Sequence, residues 1–86
     1  MSSEIIETLN SSLHKVIIIK LRNKKTIQGN LRDFDQGMNL ILTNSKDITY
    51  NDTKILDTII IRGDNIVMVS LPGRETSLNL KDDASI

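Results

Sequence analysis

Residues 59–72 read IIIRGDNIVMVSLP, two β-branched apolar runs separated by four polar residues and closed by Pro72. Ile59-Ile60-Ile61 and Ile66-Val67-Met68-Val69 are too short for helices and rich in the residue types that suit a pleated surface. They predict two strands, about 55–62 and 66–71, joined by a turn at Gly63-Asp64-Asn65. Neither run alternates with polar residues, and Val16-Ile17-Ile18-Ile19 does not either, so both faces of these strands require cover from water.

Working back from this pair, similar composition predicts strands at about 16–21, 26–35 and 39–46. Asn23-Lys24-Lys25, Gln36-Gly37 and Asn51-Asp52 supply the turns between them. Five strands with short connections imply an antiparallel meander. In the second strand Ile27 and Leu31 flank Gly29, and Phe34 then falls on the opposite parity, which predicts a sharp bend or bulge. Ahead of the strands, Ser3 is placed to cap a helix of about 3–13. Glu4 and Glu7 complement its dipole, and Ile5, Ile6, Leu9 and Leu13 form one apolar stripe. The fold expected is mostly β: an N-terminal helix and a strongly bent five-stranded antiparallel sheet that curls into a small open barrel. It occupies residues 1–73, and 74–86 reads as a polar C-terminal tail carrying isolated Leu78, Leu80 and Ile86.

An open sheet leaves edge strands whose unpaired N–H and C=O groups invite strand addition. Eighty-six residues make one small domain, and a chain of this size buries only about 60–65% of its unfolded surface. The sequence has no cysteine to staple it. Burial against other copies is the remaining source of stability, and head-to-tail edge pairing closes into a ring or runs on as a fibre. A self-contained monomeric barrel is the alternative.

Eleven basic and eleven acidic residues cancel, so the chain lacks the field that drives sequence-blind binding to polyanions. Phe34 and Tyr50 are its only aromatic residues, which excludes an interleaved aromatic platform for single strands. No run of about 18 apolar residues occurs and no signal peptide is recognisable, so a cytoplasmic or otherwise intracellular protein with no membrane association is expected. A phosphate-cradling glycine loop, a catalytic triad and a zinc pattern are all missing, and lone His14 makes no metal cluster; neither enzyme activity, cofactor nor metal is expected. Arg22, Lys24 and Lys25 form a basic turn.

Two polar turns remain as candidates for chemistry, Asp35-Gln36-Gly37-Met38-Asn39 and Arg62-Gly63-Asp64-Asn65. Both are compatible with ordinary turn construction. An amide and a guanidinium on adjacent loops also suit a planar, hydrogen-bonding ligand such as a base.

LRNKKTIQGNLRDFDQGMNLIL (21–42) resembles the first Sm motif and IIIRGDNIVMVSLP the second, in the Sm-like (LSm) family. The likeness spans about residues 3–72 and is nearest to archaeal-type Sm proteins; the bacterial Hfq-like relatives, with a Tyr-Lys-His segment, are a poorer match. The resemblance implies the Sm fold, assembled as a ring, usually of seven, in which the fourth strand pairs with the neighbour's fifth. It implies binding of U-rich single-stranded RNA at the pore and a role in RNA processing, stability or ribonucleoprotein assembly, with RNA-processing or decay proteins as further partners. Homo-oligomers and mixtures with other Sm-like subunits are both compatible with it, and a eukaryotic member could be nuclear.

By the same resemblance, Asn39 reads the base edge, Arg62 stacks on the base, and Asp35, Gly37, Met38, Gly63 and Asp64 complete the RNA-binding pocket. Where the family commonly carries His, Tyr or another stacking side chain two residues before the pocket Asn, this chain has Gly37. The alternative is therefore a structural ring or scaffold subunit that binds RNA weakly or not at all.

Overall fold

A computed structural model describes residues 3–71 and 77–79. Helix α1 (Ser3–Ser11) precedes strands β1 (Val16–Leu21), β2 (Thr26–Phe34), β3 (Leu40–Asp47), β4 (Lys54–Ile61), β5 (Ile66–Ser70) and β6 (Ser77–Asn79). The helix stops two residues earlier than its apolar spacing predicts. Ser12 N–H and Leu13 N–H donate to Leu9 and Asn10 carbonyls in a tightened last turn, and His14, at φ 67°, turns the chain out of the helix. His14 N–H then donates to the Leu31 carbonyl, and Leu31 N–H to that of Lys15, so this exit is fastened to β2.

All strand pairs are antiparallel, in the order β4-β3-β2-β1-β5-β6. The expected meander therefore holds from β1 to β4 and breaks at β5. Gly63–Asn65 is a 3₁₀ turn, not a two-strand hairpin, and it carries β5 across to pair with β1. Arg22 N–H donates to the Asn65 carbonyl at 2.9 Å and ties the turn to the end of β1. Strong curvature in the middle of the sheet makes this crossing possible. The β2/β3 register slips between Gln28 and Asn30 and again between Leu31 and Asp33, both just ahead of the parity change at Phe34. Gly29 lets the strands close there: a Cβ would lie 3.0 Å from Ser45 Cβ and 3.1 Å from Leu42 Cβ. Asn44 and Asp57, both at positive φ, mark a further irregularity between β3 and β4, where the Ser45 hydroxyl donates to the Asp57 carbonyl.

The bent sheet closes over one core built from Leu9 of the helix, Ile17, Ile19, Ile27, Leu31, Leu40, Leu42, Ile61, Ile66, Val69 and Leu71, with Met38 plugging one end. Ile5, Leu13, Leu21, Phe34 and Ile59 pack around it. Each fully buried Leu or Ile contributes about 1.5–3 kcal/mol of transfer free energy. Burial elsewhere is incomplete. In β4 only Ile61 is buried, while Ile55 and Ile60 are 72% and 71% exposed.

Within the segment read as a polar tail, residues 77–79 form β6, which lies against β5; residues 74–76 and 80–86, with Leu80 and Ile86, fall outside the described residues. No helix among the described residues is long and apolar enough to cross a membrane.

Candidate functional site

The two turns singled out in the sequence are in contact. Asp35 immediately follows the bent strand β2, and its carboxylate organises the loop: Oδ1 accepts the Gly37 and Asn39 backbone N–H groups, each at 2.9 Å. The loop is closed by Asp35 N–H donating to the Asn39 carbonyl and Met38 N–H donating to that of Asp35, both at 3.1 Å. Met38, at φ 64°, turns its side chain into the core. It anchors the loop from beneath and presents only backbone to the surface.

The Asn39 side chain joins the loops. Its Nδ2 donates to Asp35 Oδ2 and its Oδ1 accepts the Gly63 N–H, both at 2.9 Å. Together these bonds fix which end of the amide is which, because a flipped amide would set an N–H against an N–H and an oxygen against a carboxylate. One amide N–H and one oxygen lone pair remain uncommitted. Gly63 is required by this arrangement: a Cβ there would fall 2.0 Å from the Gly37 carbonyl oxygen and 2.9 Å from the Met38 carbonyl carbon. Any side chain at 63 would drive the loops apart. At Gly37 a Cβ would meet only ordinary contacts, 3.4 Å from Asn39 Nδ2 and Asp35 Oδ1, so this exposed glycine is not demanded by packing.

The same bonds set the electrostatics. The hydrogen bond from the Asn39 side chain, with those from the Asn39 and Gly37 backbone, holds the Asp35 carboxyl below its ordinary range against a smaller opposing desolvation. Asp35 is thus ionised, and purely an acceptor, throughout the neutral range.

Beside Asn39 lies a concavity of about 410 Å³ lined by Asp33, Phe34, Asp35, Asn39, Ile41, Ile60 and Arg62. The Arg62 side chain stands on its rim, 73% exposed, with Nη2 3.2 Å from Asp64 Oδ2. Such an exposed pair is worth at most about 1 kcal/mol, so the guanidinium can be redirected at little cost. Asp64 thus orients Arg62, while Gly37, Met38 and Gly63 shape the loops without lining the concavity.

Phe34, Ile41, Ile60 and Asp33 were not singled out in the sequence. Asp33, Ile41 and Ile60 are register partners across β2, β3 and β4 and form one row on the face turned from the core. The alternation in β3, with Leu40 and Leu42 buried, carries half of this signal; the register supplies the rest. Among the described residues no group of three or more His, Cys, Asp or Glu could hold a metal ion. What the arrangement offers is a flat apolar floor, an oriented amide and a movable guanidinium, suited to a planar ligand with a hydrogen-bonding edge.

Comparison with known proteins bears on the family and the fold. The model of the LSM domain matches residues 7–71. A relative named as an snRNP Sm-like protein in Methanosarcina barkeri is 31% identical over 71 residues, covering 81% of this chain and 99% of its own. Among solved structures, the P. aerophilum SmAP1 heptamer superposes with a TM-score of 0.78 at 34% identity, over 85% of this chain and 100% of that one. The Pyrococcus abyssii Sm protein, solved in complex with a uridine heptamer, gives a TM-score of 0.72 at 27% identity, over 77% and 94% of the two chains.

Proposed function

The chain belongs to the LSM-domain family of Sm-like proteins, and from that premise we propose that it assembles into a ring which gathers U-rich single-stranded RNA on one face of its pore, one base to each protomer's Asn39 pocket. The observation that carries this reading is the Asn39 amide, held at both ends by Asp35 and Gly63 beside a concavity rimmed by Arg62. Uracil presents acceptor, donor, acceptor along its pairing edge. The free Asn39 N–H donates to O4 and the spare Oδ1 lone pair accepts N3–H. Cytosine presents the reverse order at these two positions and would need the flipped amide, which Asp35 and Gly63 oppose. Arg62 leaves Asp64 to lie over the base, and Ile41 and Ile60 provide the apolar floor. The uridine complex of the P. abyssii relative and the heptameric relative support both halves of the proposal.

Affinity arises from repetition. A neutral chain gives each protomer little attraction for phosphate, but linked nucleotides reach successive pockets at high effective concentration and the Arg62 side chains of a ring concentrate positive charge at its pore. The ring acts by holding RNA for processing, decay or ribonucleoprotein partners, with no catalysis of its own.

Direct mass measurement tests assembly: seven copies of a 9.7 kDa chain give about 68 kDa. Binding of oligo-U against oligo-C tests the pocket. Asn39→Ala and Arg62→Ala should each lower oligo-U affinity by tenfold or more, given about 1–3 kcal/mol for one stacking or edge contact repeated around the ring. A folded ring in which neither change affects binding sinks the RNA reading.

One observation favours a second reading. Gly37 offers no side chain to the base, although the site has room for one. A ring whose pockets stack a base on one side only would serve chiefly as a scaffold or as one subunit of a mixed assembly, and oligo-U binding no stronger than oligo-C would identify it.

A further inference from the structure

The two edges of this sheet are unequal. One is β4, eight residues long, unpaired on its outer side among the described residues and carrying the exposed Ile55 and Ile60. The opposite edge of the five-stranded sheet is β5, and it is already taken: Met68 pairs with Asn79, Val69 with Leu78 and Ser70 with Ser77. A head-to-tail ring requires each β4 to anneal to the opposite edge of the next copy. Here a segment of the same chain lies where that strand would bind. It also lies beyond residue 71, where the match to the family domain ends.

From this juxtaposition, and resting on the ring reading above, we infer that β6 is a built-in competitor for assembly, a strand that caps β5 in the free protomer and is displaced by β4 of a second copy.

The balance of the two pairings follows from their lengths. β6 offers three residues to β5, whereas β4 offers eight and can cover all five residues of β5 while burying its own apolar side chains. The competitor's advantage is its tether: only residues 71–76 separate it from β5, which sets its effective concentration near the millimolar range. Dilute protomers therefore cap themselves and concentrated ones exchange the cap for a neighbour. A capped edge also protects the free protomer from open-ended strand addition.

The test uses the full chain and reads the concentration midpoint of assembly by analytical ultracentrifugation. Leu78→Pro with Asn79→Pro weakens β6, because successive amides point to opposite sides of a strand and one of the two lost N–H groups faces β5. If β6 caps nine protomers in ten, this variant assembles at a concentration about tenfold lower than the unaltered chain. The reverse experiment exploits the absence of cysteine. Ser70→Cys with Ser77→Cys places two thiols at paired positions. The oxidised form, verified by mass, should fail to assemble at concentrations where the reduced form assembles.

Equal midpoints for the proline variant and the unaltered chain overturn the cap and leave the ring standing. So does weaker assembly of the proline variant, which would make β6 part of the interface, and so does assembly of the locked form. If none of the proteins assembles at any concentration, the ring and the cap fall together.

Discussion

The Asp35–Asn39 loop and strand β4 lie side by side, and one is completed within the chain while the other is not. In the loop, Asp35 accepts three hydrogen bonds, Asn39 is held at both ends, and Gly63 is fitted to the Gly37 carbonyl with no room for a Cβ. In β4, two large apolar side chains are more than two-thirds exposed and the outer backbone edge has no partner strand among the described residues. A self-sufficient polar constellation beside an unsatisfied apolar strand separates two tasks: the chain sets the chemistry of one pocket, and in the proposed ring neighbouring copies supply the cover that β4 lacks. The first task can be broken with the protomer assembled, and the second with the protomer folded.

The largest effect should come at β4. Ile55→Asp lies at a position 72% exposed and outside the concavity, so protomer stability should change by no more than about 0.5 kcal/mol. Enclosing an unpaired carboxylate between copies should weaken each contact by about 3–5 kcal/mol, which a mass measurement at micromolar concentration would register as protomers in place of rings. A ring that survives would remove β4 from the interface. Gly63→Val comes next. Its Cβ would collide with the backbone of the facing loop, costing about 3 kcal/mol of protomer stability and lowering Tm by roughly 15 °C in a thermal melt. An unchanged Tm would show that the two loops are not pressed together.

Two smaller changes probe the pocket itself. Asp35→Ala frees the Asn39 amide to turn, so preference for oligo-U over oligo-C should fall about tenfold, more than total affinity falls; unchanged selectivity in a folded variant would refute the orienting role. At position 37 a Cβ meets only ordinary contacts, so Gly37→Tyr should add a stacking face and raise oligo-U affinity by about tenfold. Failure to strengthen binding would place the base elsewhere.

Acid should produce the smallest effect near neutrality. Asp35 is held below its ordinary pKa of 3.8, first by the Asn39 side chain. The contribution of the ionised carboxylate is therefore fully present above the unfolded value and is lost only as pH falls through the lower folded value. The Asn39 side-chain amide resonances should hold their positions from pH 7 to about 5 and move only below about 4. Movement near neutral pH would mean that some other group sets the geometry.

Much of this was legible in the order of the residues. Apolar β-branched runs and polar turns located every strand up to β5 to within a residue or so at each end, because those signals are local. The parity change between Leu31 and Phe34 announced the bend at Gly29, and the two polar turns that carry Asp35, Asn39 and Arg62 stood out between apolar strands. The tail offered no such signal: Ser77-Leu78-Asn79 is too short and mixed to read as a strand, and only the waiting edge of β5 makes it one.

The sequence alone located the helix, strands β1 to β5 and the two polar turns that carry Asp35, Asn39 and Arg62, since periodicity and turn chemistry act over a few residues. Tertiary structure decided what depends on distant parts of the chain meeting. It sent β5 to β1 rather than to β4, and it aligned Asp33, Ile41 and Ile60 into one row. It also pressed Gly63 against Gly37 so that a backbone N–H could fix the Asn39 amide, and it laid β6 on the edge of β5. Pairing register and loop-to-loop contact arise only when the strands assemble into the curved sheet, because no local preference specifies which remote partner will satisfy a given hydrogen bond.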